Sequence, residues 1–280
     1  MRDLISIVVS TYERADALDA VLRSLARQRD RGFEVIVADD GSGPATAAVI
    51  ARWNGELGAP LFHARHEHVG FRAAEIRNRA IALSHGAYCV FLDGDCIPRA
   101  DFVAQHRRLA EPGWFVAGNR ILLSEALTRA VLAERLEPQT WDLAALLRHR
   151  GNGVNRIAPA LHLPLGPLRK AEPRRWEGAR TCNLAVARRD LDRVDGFDAS
   201  FNGWGLEDSD LAVRLIHAGV RRKDGRFATG VFHLWHRDND RAGFAGNQAR
   251  LDDVIRSDRI RALRGLSTLA PDPCAGACLT

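Results

Sequence analysis

Two carboxylates, Asp93 and Asp95, flank Gly94 directly after the apolar run 88–92. On an extended chain, side chains at i and i+2 project to the same side. Both can therefore approach one cation, and their hard oxygens suit Mg2+ or Mn2+ beside phosphate. So short a pattern equally suits a polar turn closing a strand, and its weight comes from the buried strand before it. A second cluster, Gly203-Trp204-Gly205-Leu206-Glu207-Asp208-Ser209-Asp210, crowds three acids at the start of a helical stretch. Acids complement the dipole of a first helical turn, which accounts for one or two of them. It does not account for an indole between two glycines, an aromatic face suited to the apolar side of a sugar ring. A carboxylate there could take a proton from a hydroxyl.

A third cluster is Val231-Phe232-His233-Leu234-Trp235-His236-Arg237-Asp238. Two imidazoles three apart share a face on a helix but point to opposite faces on a strand. In a strand, only one reaches a given site unless the chain turns at its end. Core or surface histidines are the plainer reading of each alone. Arg72, Arg77, Asn78 and Arg79 lie on one predicted helix, with Arg72 and Arg79 seven residues apart and so on one face. Arginine is the natural partner of phosphate, although a solvated basic face would look the same.

These residues need a frame. Apolar runs at 5–10, 33–38, 61–64 and 87–92 read as strands, the longer ones buried on both faces. Helical periodicity separates them, with Leu18, Val21, Leu22 and Leu25 at helix spacing and further helices over 45–53 and 72–84. Such alternation predicts an α/β fold with a mostly parallel sheet and helices on both faces. Ligands of such sheets bind beyond the carboxyl ends of the strands, where Asp39-Asp40-Gly41-Ser42 and Asp93-Gly94-Asp95 both fall. The second half reads as a strand over 115–123, one or two helices over 127–148, a short strand over 182–187, a helix over 206–218, a strand over 226–235 and an outer amphipathic helix over 244–263. Between them, 151–180 carries Pro159, Pro164, Pro167, Pro173 and several arginines around Trp176, with no recognisable motif. Long loops of this kind in compact domains are usually functional or mobile.

As an ordered set the motifs resemble the family 2 glycosyltransferases with the GT-A (Rossmann-like) fold. Ile5-Ser6-Ile7-Val8-Val9-Ser10-Thr11-Tyr12-Glu13-Arg14 resembles that family's first strand and nucleotide loop. Val35-Ile36-Val37-Ala38-Asp39-Asp40-Gly41-Ser42 resembles its second strand and base-binding acids, Arg77-Asn78 with Ala80 its third-helix signature, and Asp93-Gly94-Asp95 its DxD. The resemblance spans roughly residues 4–105. The later part is similar to the galactosyltransferase-type C-terminal region, found also in chondroitin-polymerase-like enzymes, through Gly203-Trp204-Gly205-Leu206-Glu207-Asp208 and His236-Arg237-Asp238.

The resemblance implies one GT-A domain over 1–265, with a nucleotide-binding half (1–110), an acceptor-binding half (111–265, including the irregular loop 151–180) and a tail (266–280). It implies inverting transfer of a hexosyl or N-acetylhexosaminyl unit from a UDP-sugar to a glycan or glycolipid acceptor, with Mn2+ or Mg2+ as cofactor, in bacterial surface polysaccharide or lipopolysaccharide synthesis. By the same analogy the donor nucleotide is held by Thr11, Tyr12, Glu13, Arg14, Asp39, Asp40, Arg72, Arg77, Asp93 and Gly94. Asp95, His236 and His233 are the implied metal ligands, and Asp208 the general base. Asn183, Trp204 and Glu207 are the implied contacts to acceptor or transferred sugar.

Two rivals share parts of this pattern. A metal-dependent nucleotidyltransferase or phosphohydrolase would use the same frame, but the chain has no GxxxxGK[ST] loop. A non-catalytic glycan-binding relative is disfavoured because Asp95, Asp208 and His236 are all present. The net charge of +5 suits an anionic ligand or membrane face and is too small to indicate nucleic acid by itself. No nucleic-acid-binding motif stands out, so no nucleic-acid partner is expected. Without a secretory leader or an apolar run of about 18 residues, the expected location is the cytoplasm, with peripheral attachment to the inner membrane face through the basic loop as a further expectation. The five cysteines, Cys89, Cys96, Cys182, Cys274 and Cys278, form no zinc-type pattern and are expected as free thiols.

Overall fold

The computed structural model describes residues 3–151, 153–237 and 240–269. Asp238, Cys274, Cys278 and the rest of the tail from 270 lie outside the described residues. The nucleotide-side half runs β1 (Ile5–Thr11), α1 (Ala15–Leu25), β2 (Phe33–Asp39), α2 (Pro44–Glu56), β3 (Leu61–Arg65), α3 (Ala73–Leu83) and β4 (Tyr88–Asp93). The chain continues through β5 (Cys96–Pro98), α4 (Phe102–Leu109), β6 (Trp114–Ala117), β7 (Arg120–Leu122), α5 (Glu125–Ala133) and α6 (Leu143–Arg148). It ends with β8 (Leu184–Ala187), α7 (Arg188–Val194), α8 (Glu207–His217), β9 (Arg221–Asp224), β10 (Val231–His233) and α9 (Phe244–Arg256).

Seven strands form one sheet in the order β3-β2-β1-β4-β8-β6-β9. Only β8 runs against the rest, pairing antiparallel with both β4 and β6. Alternation along β1 explains its burial on both faces. Ile5, Ile7 and Val9 pack into a core with Leu18, Val21 and Leu22 of α1. Val8 points the other way, into a core with Ala80 and Ile81 of α3, Leu191 of α7 and Leu211 and Leu215 of α8. Each such buried aliphatic side chain contributes about 1.5–3 kcal/mol, so the register of the central strands is strongly held.

The order also locates a crevice. The chain winds outward from β1 to β3, then returns to place β4 on the other side of β1. Neighbouring strands whose crossovers leave in opposite directions part at their carboxyl ends, and ligands of open α/β sheets bind there. Ser10 and Asp93 are directly paired at that point.

The later half departs from the expected elements. The apolar run 115–123 is split between β6 of the main sheet and β7 of a second sheet, because the chain turns at Gly118, where a Cβ would sit 2.2 Å from the Asn183 side chain. The run 226–235 shortens to β10, β9 and α7 were not expected, and the last helix ends at Arg256. The second sheet, β5-β10-β7, is small. It pairs β10 antiparallel with β5, setting His233 opposite Cys96. Leu266 packs into the α3/α7/α8 core, and Ser267 donates through N and Oγ to Asp195. Cys89, Cys96 and Cys182 are buried free thiols. No helix among the described residues is long and apolar enough to cross a membrane.

Candidate active site

A cleft of about 730 Å3 opens at the β1/β4 switch point. Ser10, Thr11 and Tyr12 reach it from the end of β1, Asp93, Gly94 and Asp95 from the end of β4, and Trp204 to Ser209 from the start of α8. Gly94 permits the close approach of β4 to β1. Its N–H donates to the Ser10 carbonyl at 2.7 Å, and a Cβ there would stand 2.8 Å from that same oxygen.

Asp95 sits one residue before β5, and its carbonyl accepts from Leu234 N–H at 2.9 Å, just past the end of β10. The small sheet thus delivers both histidines to the DxD. His233 Nε2 lies 3.7 Å from Asp95 Oδ1 and His236 Nε2 3.5 Å from Asp95 Oδ2. Both arrive because the strand stops at His233 and the chain turns, with Trp235 N–H donating to Thr128 Oγ1. One ligand atom from each of Asp95, His233 and His236 lies within 4.8 Å of the others. This N2O donor set suits a first-row divalent ion. His236 Nδ1 lies 2.7 Å from the Arg237 carbonyl, which only accepts. Nδ1 therefore carries the proton and Nε2 offers its lone pair, the second-shell arrangement that orients a metal-binding histidine. Burial pulls His233 below the ordinary imidazole range, against the raising effect of Asp95, and keeps it neutral. The residues fit a divalent cation.

The three acids at the start of α8 have three different fates. Asp210 is wholly buried and paired with Arg214 at 2.7 Å and Arg259 at 3.4 Å. Glu207 accepts from Arg77 Nη1 at 2.8 Å. Asp208 has no cationic partner at ion-pair distance among the described residues, and its Oδ1 accepts from Ser209 N–H at 2.7 Å. Burial and then the adjacent Glu207 charge push the Asp208 carboxyl up to about 7, against the pull of Arg77. Such a value suits a proton acceptor near neutral pH. Burial likewise pushes Asp93 up to about 6, with Arg77 opposing and the Asp95 charge adding.

The lead into α8 is bent. Gly203, Gly205 and the non-glycine Leu206 have φ of +76°, +99° and +76°. A left-handed Leu is strained, and such strain clusters at functional sites. The bends present Trp204 to the cleft, where its ring stacks on Phe244 at 6.1 Å and Arg241 lies over it at 5.3 Å. The indole is therefore already flanked.

On the nucleotide side, Tyr12, Arg14 and Asp40 line the cleft. Tyr12 stacks on His68 at 4.1 Å, and His68 in turn contacts the Asp40 carbonyl. Asp40 also accepts from Arg72 N–H at 3.2 Å and contacts His66 Nε2 at 2.5 Å. His68 follows no periodic pattern, and nothing in the local sequence marks it.

Four predicted contacts are placed elsewhere. Asp39 is buried, held by Ser42 N–H at 2.8 Å and His63 at 3.0 Å, and these bonds keep its carboxyl low despite burial. Glu13 supports the loop after β2 through Gly43 N–H at 2.8 Å. Arg72 and Arg79 do share a face, but both turn to Glu75, at 3.3 and 3.2 Å. Asn183 is 1% exposed and bonds the carbonyls of Asn119 and Thr229 and the His106 ring, which makes it a strut behind the cleft. Arg77, expected on phosphate, is spent internally. Its Nε donates to Ser10 Oγ at 3.1 Å, Nη1 to Glu207, and Nη2 to Asp93 at 3.4 Å. Arg120 and Arg237 line the cleft without having been singled out for it, and Arg180 reaches it from the end of the basic stretch 169–180, which the sequence leaves open as a solvated loop, a lid over the donor or an acceptor contact.

Residues 6–191 match the family described as Glycosyl transferase family 2, and residues 169–237 match the N-terminal domain of galactosyltransferase. Validoxylamine A glucosyltransferase of Streptomyces hygroscopicus subsp. jinggangensis is 29% identical over 246 residues, covering 81% of this chain and 55% of that protein. Hyaluronan synthase of Pasteurella multocida is 29% identical over 233 residues, covering 77% and 23%. The chain spans about half the length, or less, of these relatives. Among solved structures, the mannosyltransferase PcManGT from Pyrobaculum calidifontis, in complex with GDP-Man and Mn2+, superposes with a TM-score of 0.59 at 20% identity, covering 92% of this chain and 65% of that one. S. aureus TarS 1–349 with UDP-GlcNAc gives 0.58 at 15% identity, covering 89% and 66%. The fold is the GT-A fold expected from the sequence.

Proposed function

We propose a reaction for this chain, which belongs to glycosyltransferase family 2: transfer of a sugar from a UDP-sugar to a carbohydrate acceptor, with inversion at the anomeric carbon and dependence on a divalent metal. The observation that carries the proposal is one cleft joining an Asp-His-His cluster at the end of β4 to an unpaired carboxylate, Asp208, at the start of α8. Asp95, His233 and His236 would hold Mn2+ or Mg2+, which when bound neutralises charge on a donor diphosphate. Tyr12, His68 and Asp40 offer a stacking and hydrogen-bonding wall for the base. Trp204 borders the space for acceptor or transferred sugar.

In this mechanism Asp208 accepts the proton of the acceptor hydroxyl as its oxygen attacks the anomeric carbon. The bond from that carbon to the diphosphate oxygen breaks in the same displacement, and its electron pair leaves with the nucleoside diphosphate. Attack and departure on opposite faces invert the centre, so no covalent nucleophile is required. The acceptor would belong to a bacterial surface polysaccharide or lipopolysaccharide, consistent with the polysaccharide synthases among the relatives. Action at the inner face of the membrane is part of the same proposal.

Calorimetric titration of UDP with and without manganese, on the wild type and on Asp95→Ala, tests it. Manganese-dependent binding lost in the variant supports the donor site. Binding of neither UDP nor GDP under any condition sinks the reading.

A further inference from the structure

A nucleoside diphosphate needs cationic partners for its phosphates, and the three arginines suggested for this by the sequence around α3 are engaged, Arg79 by Glu75 at 3.2 Å. Arg72 turns to Glu75 and the Glu67 carbonyl, and all three Arg77 nitrogens have protein partners. Of the other cleft arginines, Arg14 bonds Asp16 at 3.1 Å, Arg180 and Arg237 are exposed, and Arg241, also exposed, lies over the Trp204 ring.

Arg120 is different. It opens β7, where pairing with β10 aligns it with Val231, and it is half-buried in the cleft wall. Its Nη1 has one weak contact, Cys182 Sγ at 4.0 Å, and no carboxylate is at ion-pair distance among the described residues. It lines the same cleft as Asp93, Asp95 and His236, and β7 pairs with β10, the strand that ends in His233, which places it beside the metal cluster. A half-buried guanidinium on a paired strand, with no carboxylate at ion-pair distance among the described residues, is pre-organised to receive an anion. Its planar fork matches two phosphate oxygens.

We propose that Arg120 is a catalytic residue that binds the donor diphosphate and stabilises the negative charge it gains when the bond to the sugar breaks. The proposal rests on the reaction proposed above. As that bond breaks, its electron pair passes to the terminal phosphate oxygen, so the product UDP carries more charge there than the donor. The acceptor proton goes to Asp208, and charge and atoms balance. An interaction that strengthens with this developing charge lowers the barrier rather than only tightening substrate binding.

The test is calorimetry with manganese present, using UDP, UDP-glucose and uridine on the wild type, Arg120→Ala and Arg120→Gln. Arg120→Gln preserves much of the side-chain volume should Arg120→Ala fail to fold, and circular dichroism confirms folding. Loss of a charge-assisted hydrogen bond predicts UDP binding about 10- to 100-fold weaker. The loss should be smaller for UDP-glucose, and uridine affinity unchanged. A folded variant that binds UDP as the wild type does overturns the proposal. An equal loss for UDP and UDP-glucose overturns the catalytic part of it. A wild type that binds none of the three overturns the underlying reaction, an outcome distinct from the others.

Discussion

Arg77 is the most informative residue to remove. It is 5% exposed and its principal partner Glu207 is 7% exposed, so neither charge has water to fall back on. Arg77→Met keeps the apolar stem and deletes the cation, leaving Glu207 buried without a counter-charge. Breaking a buried pair by removing one partner costs about 3–5 kcal/mol. At roughly 2–4 °C per kcal/mol for a domain of this size, the unfolding midpoint should fall by about 6–20 °C. Urea unfolding of Arg77→Met, Glu207→Gln and the double variant measures the coupling, expected at about 1–3 kcal/mol in favour of the pair. The variant should also alter chemistry. Arg77 pulls the Asp208 carboxyl down, so its removal should move the acid limb of the rate profile to higher pH. A cost below about 1 kcal/mol, or a double variant equal to the sum of the singles, would refute the argument that Arg77 is a buried tie between the two halves.

Two further predictions address the proposed base and Asn183, expected at the acceptor but buried behind the cleft. As the proposed base Asp208 would act in its ionised form, and burial pushes its carboxyl up to about 7, so transfer should fall about tenfold per pH unit below that value, and Asp208→Asn should lower the rate by about 10²–10⁴-fold; a wild-type rate that is flat from pH 5 to 8 excludes this role. Asn183→Ala removes a buried strut and should cost about 1–3 kcal/mol of stability while leaving the UDP affinity of the folded protein unchanged, as chemical unfolding and calorimetry on one preparation would show.

The clefts and elements of the nucleotide-side half were legible in the sequence for a simple reason. A strand buried on both faces must be a continuous apolar run, and a chain leaving such a strand at a ligand crevice must turn polar. Both signals are local, so β1, β2 and β4 and the acids at their ends could be read directly. The Gly203–Asp210 motif was visible for the same reason, as a helix start with too many acids and an indole that no cap requires.

Partnership was not legible, because it is decided by packing between residues far apart in the chain. Arg77 and Glu207 are 130 residues apart, and only the docking of α3 against α8 turns a candidate phosphate ligand into an internal tie. Asp39 and Asp40 are adjacent, yet strand alternation sends one into the protein toward His63 and leaves the other at the cleft. His233 and His236 were grouped with Asp95 by the family resemblance alone; both reach it because β10 pairs with β5 and ends there, a register no local pattern contains. Arg120 carries no sequence signal at all. It became a candidate once the structure showed which cations were already neutralised and which half-buried one in the cleft wall had no carboxylate at ion-pair distance among the described residues. The sequence by itself determined which residues could do chemistry and which strands would carry them. The tertiary structure decided which charges cancel one another, because a buried charge must find its counter-charge within the fold or wait for a ligand to supply it.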